Sequence, residues 1–355
     1  MTQTTTDAAI LARLSLLDRF LPLWIGLAMA GGLLLGRFIP RLNEALDAVK
    51  VGPVSLPIAI GLFAMMYPVL AKVDYSKLGS ITSDRRLIAA SLTFNWLIGP
   101  LVMFSLAWWL LSDHPEFRTG VILVGLARCI AMVLVWNDIA LGNREAAAVL
   151  VALNALFQVA FYSVLGYFYL KLLPGWLGWD TSAFEASLWE IAAIVLVFLG
   201  LPVLGGYLTR LWGERRRSKE WYESEFLPTL GRASLWGLLF TVTVLFALQG
   251  ETITKEPLTV ARIALPLFLY FVVMWVMGFM TGRLLGLPYD KTATLAFTAS
   301  SNDFELAIAV AIGVYGVTSG EALAGVVGPL IEVPVLVGLV YVALWARRRF
   351  YPDEV

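Results

Sequence analysis

The chain has a single cysteine and a single histidine among 355 residues. One cysteine excludes an internal disulfide and any thiol-rich structural metal site. One histidine, His114, excludes a histidine-cluster metal site. No Gly-Lys dipeptide occurs, so a Walker-type phosphate-binding loop is absent and the chain is not expected to hydrolyse ATP itself. Charge is scarce: 15% of residues are charged and the formal net charge is zero. A soluble domain carries about a quarter charged residues, and a nucleic-acid binder needs a basic face. What fills the sequence instead is hydrocarbon, 59% of residues, with a mean hydropathy of +0.79. This is the composition of a polytopic, all-α membrane protein, and any work it does must draw on a gradient or a partner.

A membrane span takes about 20 apolar residues. Ten stretches qualify, over residues 20–39, 53–72, 87–112, 119–141, 146–171, 188–209, 233–249, 260–282, 291–315 and 321–346. Residues 8–20 have an amphipathic pattern and are expected to lie on the membrane surface. Ala28-Met29-Ala30 mimics a signal-peptidase site, but the apolar run continues through Leu35, as a span does. Gly32 with Gly36, and Gly282 with Gly286, are spaced for close helix packing. With the N-terminus in the cytoplasm, eighteen Lys and Arg fall on the inner side, among them Arg215-Arg216-Arg217 and Arg347-Arg348-Arg349. Seven fall outside, and this asymmetry predicts that both termini are cytoplasmic.

The longest charged linker, around Arg210–Arg232, falls between the sixth and seventh spans, and the division into five spans and five falls after the fifth, at residue 172. The expected organisation is an interfacial segment 1–19 and two five-helix repeats, 20–172 and 173–355, inverted because each holds an odd number of spans. Asn154-Ala155-Leu156-Phe157-Gln158-Val159 echoes Gly328-Pro329-Leu330-Ile331-Glu332-Val333 at an offset of 174 residues. The same offset sets Arg128 against Asn302 and Cys129 against Asp303.

Those last pairs fall near the middle of the fourth and ninth spans. A charged group there costs about 2.5–3.5 kcal/mol on insertion scales, so it marks a pathway by default. Paired broken helices at the bilayer midplane are where secondary transporters bind substrate. Cys129, the sole thiol, reads either as a soft ligand beside the Arg128 cation or as a small buried apolar residue. Glu305 reads as a carrier of protons or as an ion-pair partner of Arg128. Asn302 stands three residues before it. Asn95, Gln158 and Glu332 suit bonds between helices better than substrate contact. Asn137 and Asp138 suit equally an inner entrance or a helix end. Trp136 reads as core, and His114 as part of a short outer loop.

The stretch Gly-Leu-Ala-Arg-Cys-Ile-Ala-Met-Val-Leu-Val-Trp-Asn (125–137) resembles the signature of the arsenical-resistance efflux permeases, within the bile acid/sodium symporter superfamily. Ser-Asn-Asp-Phe-Glu-Leu-Ala-Ile-Ala-Val-Ala (301–311) and Pro-Leu-Ile-Glu-Val-Pro (329–334) resemble the same family, in the same order, over nearly the whole chain. The departure is Asp303, where the family more often has Asn. The resemblance implies ten helices in two inverted repeats, with helices 4 and 9 discontinuous and crossing. It implies a cell-membrane exporter of arsenite, in some members also antimonite, driven by proton exchange, with Cys129 as the arsenic ligand and Glu305 as its essential companion. Arg128, Asn302 and Asp303 complete the expected substrate and transport set, with Asn95, Asn137 and Glu332 as secondary candidates. No cofactor and no resident metal are expected. A sodium-coupled importer of an organic anion is the rival within the superfamily; it accounts for Asn302, Asp303 and Glu305 but not for the cysteine. An intramembrane cysteine enzyme would need a base, usually His, and the spans contain none.

Overall fold

The computed structural model describes residues 21–39, 50–51, 54–73, 84–181, 184 and 186–352. The amphipathic segment 8–20 lies outside the described residues. Among the described residues the regular structure is helical apart from a short hairpin, β1 (Lys50–Val51) paired antiparallel with β2 (Val54–Ser55). In chain order the helices are α1 (Leu21–Phe38), α2 (Leu56–Ala71) and α3 (Arg85–Leu110). Then come α4, in two halves (Pro115–Leu126 and Met132–Ile139), α5 (Arg144–Trp176) and α6 (Leu188–Arg216). They are followed by α7 (Leu227–Lys255), α8 (Pro257–Leu284), α9 in two halves (Tyr289–Ser300 and Phe304–Tyr315), and α10 (Gly320–Phe350).

Helix starts carry side chains that satisfy the first free amides. Asp84, Asn143 and Ser319 cap α3, α5 and α10, and Ser187 with Glu190 forms a capping box on α6. The Lys291 ammonium, 2.6 Å from the Asp84 carboxylate, ties the start of α3 to α9 and holds that carboxyl below its usual range. Four wide π-type turns, Phe94–Ile98, Phe168–Leu172, Leu196–Gly200 and Tyr222–Phe226, share one cause. Each ends two residues before a proline (Pro100, Pro174, Pro202 and Pro228). Proline lacks an N–H and its ring crowds the carbonyl four residues back, and the wider turn absorbs both.

Much of the exterior is apolar, and the interior, apolar in the main, also holds buried polar groups such as Asn95, Arg128, Gln158 and Glu332. Large side chains such as Leu258, Phe268 and Met280 face outward. Trp109, Trp176 and Trp189 are exposed at one set of helix ends, and Trp212 and Trp345 at the other, as membrane-interface belts are. The chain is therefore a multi-pass membrane protein.

Two groups of helices meet at the site. α7 packs along α1 and α2, and α2 also packs on α6. The small-residue spacing in α1 serves this contact: Gly32 and Gly36 let the backbone of α7 approach so closely that a Cβ at either would collide with Thr243, Phe246 or Ala247. Gly286 behaves differently from the helix-face role its spacing suggests. It lies past the end of α8 with φ 69°, a left-handed turn that glycine adopts without strain. The second group consists of α3, α4, α5, α8, α9 and α10, with α10 packed on α4, α8 and α9.

Candidate functional site

Both interrupted helices are unwound at their centres, and the unwound segments cross. Ala127 and Ser301 leave the helical conformation for extended backbone. Arg128 and Asn302 then pair as an antiparallel bridge. The Cys129 amide donates to the Ser301 carbonyl at 3.4 Å, and the Asp303 amide to the Ala127 carbonyl at 3.1 Å. Each break frees backbone groups that the bilayer cannot satisfy, so side chains must. The Asn302 Nδ2 donates to the Val124 and Ala127 carbonyls, at 2.7 and 2.9 Å, closing the end of the first half of α4.

The two breaks are supported alike. The Arg128 amide donates to Gln158 Oε1 at 2.8 Å, and the Asn302 amide to Glu332 Oε1 at 3.4 Å. Both pairs are 30 residues apart in sequence, and the pairs are related by the offset of 174. The second half-helices are also headed alike. Cys129 Sγ accepts the Val133 amide at 3.3 Å, and Asp303 Oδ1 accepts the Leu306 amide at 3.0 Å. Asp303 is thus the N-cap of the second half of α9, a task that asparagine performs equally well.

Gln158 serves both backbone groups of Arg128, because its Nε2 also donates to the Arg128 carbonyl at 2.9 Å. Gln158→Leu orphans two buried backbone groups, each worth about 1–3 kcal/mol. The expected outcome is a marked fall in the melting temperature of the purified protein in detergent. An unchanged melting temperature would remove Gln158 from the support of the break.

The crossing faces a cavity between the two helix groups. Cys129 and Met132 from α4, Asn302, Phe304 and Glu305 from α9, and Pro329 and Glu332 from α10 line one side. Ile25, Leu62, Met65 and a face of α7 line the other. No Lys or Arg is among the described residues that line it. Cys129 is 4% exposed, while Asp303 and Glu332 are each 1% exposed. Glu305 is only half-buried, the most exposed of these three carboxylates. The three lie within electrostatic reach of one another and of the Cys129 sulfur. Asn302 Oδ1 is buried without a partner at the cavity wall.

The expected site residues therefore divide. Cys129, Glu305, Asn302 and Glu332 share the cavity. The Arg128 side chain does not reach it: Nη1 donates to the Tyr270 hydroxyl at 2.6 Å, Nη2 to the Gly125 carbonyl, and no ion pair joins Arg128 to Glu305. The reason is the break itself, which turns the guanidinium toward α8 and away from α9. Asn302 and Glu305 meet in the cavity although Asn302 is outside any helix, so helical spacing is not what joins them. Asn95 Nδ2 donates to Ser91 Oγ on its own helix and to Asn154 Oδ1 of α5, each at 3.2 Å, the second being a bond between helices. Asn137 Oδ1 accepts from Thr294 at 2.8 Å, tying α4 to α9, and Asp138 lies 3.5 Å from Arg144. Trp136 is core. His114 Nε2 is half-exposed beside Arg262. Tyr270, the partner of Arg128, was not legible as a site residue; a phenol inside an apolar span signals a buried partner.

Residues 59–256 match the profile of the Sodium Bile acid symporter family. The arsenical-resistance protein Acr3 of Corynebacterium glutamicum is 53% identical over 354 residues, spanning 100% of this chain and 96% of that protein. The Acr3 protein of Alkaliphilus metalliredigens is 30% identical, over 94% of each chain. An uncharacterized transporter of Synechocystis is 34% identical over 94% of this chain and 91% of its own length. Identity across the full length, with the crossing helices in the expected register, means that the chain belongs to the Acr3 arsenical-resistance family within the sodium bile acid symporter superfamily.

Proposed function

We propose that the chain exports arsenite from the cytoplasm in exchange for protons. The observation that carries this reading is the meeting of one thiol and one half-open carboxylate, Cys129 and Glu305, in a cavity at the crossing. Full-length similarity to two proteins named for arsenical resistance supports it. Arsenous acid is neutral at cytosolic pH, and a cavity without a cationic side chain suits a neutral solute. Three thiolates would trap arsenic, whereas one holds it reversibly. The thiol displaces one hydroxyl, forming an S–As bond and releasing water, As(OH)3 + Cys–SH → Cys–S–As(OH)2 + H2O. Hydrolysis of the same bond releases arsenous acid on the other side. A proton taken by Glu305 from outside resets the carrier. In this scheme Arg128 braces the break against α8 through Tyr270.

The cycle requires the two helix groups to rock about the cavity. In the proposed orientation, with two inverted repeats (20–172 and 173–355) and cytoplasmic termini, the α9–α10 linker is outside. Gln249 of α7 donates to the Val317 carbonyl of that linker at 2.6 Å and is a latch between the groups. Gln249→Ala is expected to raise alkylation of Cys129 by a membrane-impermeant thiol reagent added from outside. The sole cysteine makes whole-protein labelling the readout, and labelling unchanged from wild type would remove the latch. The function itself is tested in arsenite-loaded cells lacking other exporters. Expression of the chain should lower their arsenic content in sodium-free medium. Export that requires sodium, or none at all, would favour the organic-anion reading. Antimonite, as the other trihydroxy metalloid, is expected to follow the same route.

A further inference from the structure

The two walls of the cavity differ in chemistry. The wall from α4, α9 and α10 carries the thiol, the amide and two carboxylates. The wall from α1, α2 and α7 is apolar but for one residue, Thr241. Leu238, Thr241, Val242 and Leu245 follow i, i+3, i+4, i+7 spacing, which puts Thr241 in the middle of the face that α7 turns to the cavity. Thr241 is 3% exposed, and its hydroxyl has no hydrogen-bond partner. A threonine in a membrane helix ordinarily returns its hydroxyl to the carbonyl four residues back. Thr209, Thr243 and Thr298 do so in this protein, each at 2.7 Å. Thr241 does not. Its hydroxyl lies against Gly61 of α2, where a Cβ would collide with it. The hydroxyl thus occupies the notch that Gly61 leaves in α2, while Thr241 itself and Leu62, the residue after Gly61, line the cavity.

A buried hydroxyl left unpaired is destabilising, and a ligand that pairs it recovers the loss. We infer that Thr241 contacts the substrate and helps to determine specificity: its hydroxyl exchanges a hydrogen bond with one hydroxyl of arsenous acid, while Cys129 holds the arsenic from the opposite wall. This rests on the arsenite reading above. The chemistry matches, since both an As–OH group and a threonine hydroxyl donate and accept. The contact also spans the two helix groups, so bound substrate links the walls that must move.

The test measures arsenite accumulation against arsenite concentration in everted vesicles under a proton gradient, for wild type, Thr241→Val and Thr241→Ser. Valine keeps the shape and removes the hydroxyl; serine keeps the hydroxyl. The expected result is a KM raised about tenfold in Thr241→Val, with maximal rate within about twofold and a near-wild-type KM in Thr241→Ser. A wild-type KM in Thr241→Val, while wild type transports arsenite, overturns the inference and leaves the arsenite reading standing. So does a lowered maximal rate with KM unmoved, the mark of a structural role. Wild-type vesicles that accumulate no arsenite overturn both.

Discussion

Cys129→Ser is expected to reduce arsenite accumulation in energised everted vesicles to the level of vesicles without the protein, at wild-type abundance in the membrane. Serine is nearly isosteric, so the fold should survive. What changes is the ligand: sulfur is soft and binds arsenic in preference to water oxygen, whereas a serine hydroxyl offers nothing that solvent does not. The sulfur also heads the second half of α4 by accepting the Val133 amide. A serine hydroxyl caps helix starts well, which keeps the half-helix in place. Loss of transport with retained abundance and stability therefore isolates the thiol's chemistry from its structural bond. Transport at wild-type rates in Cys129→Ser would reduce the cysteine to packing.

Glu305→Gln is expected to abolish the response of arsenite accumulation to a pH gradient. Glutamine has the shape of a protonated glutamate but neither takes up nor releases a proton, so it fixes one state of the group. Glu305 is singled out from its neighbours by geometry. Asp303 is engaged as a helix cap and Glu332 holds the Asn302 amide, and both are buried. Of the two carboxylates on the cavity wall, Glu305 is half-buried and Glu332 fully buried, so Glu305 is the more open. Undiminished proton coupling in Glu305→Gln would contradict its assignment and direct attention to Asp303 and Glu332.

The spans and their two interruptions were legible in the sequence because hydrocarbon penalises polar groups steeply. Gly125–Met132 and Ser300–Ala307 stood out from apolar surroundings, and the helices are broken there. The offset of 174 was legible for the same reason, since Gln158 and Glu332 are polar groups that a membrane helix keeps only for a partner. Span limits were less so. α5 runs to Trp176 and α6 to Arg216, past the apolar stretches, because helices continue through the interface once their hydrogen bonds are in place. The aim of Arg128 was not legible: an ion pair with Glu305 was one of two open readings, and the extended segment turns the guanidinium to Tyr270 instead. Thr241 was hidden for a different reason. Threonine is common in membrane helices, and only the missing bond to its own helix sets this one apart.

The most direct test of the account is arsenite uptake by wild-type everted vesicles in sodium-free buffer under an imposed proton gradient. The account predicts accumulation above the external concentration, collapsed by an uncoupler and indifferent to sodium. Accumulation that needs sodium, or survives the uncoupler unchanged, would contradict it.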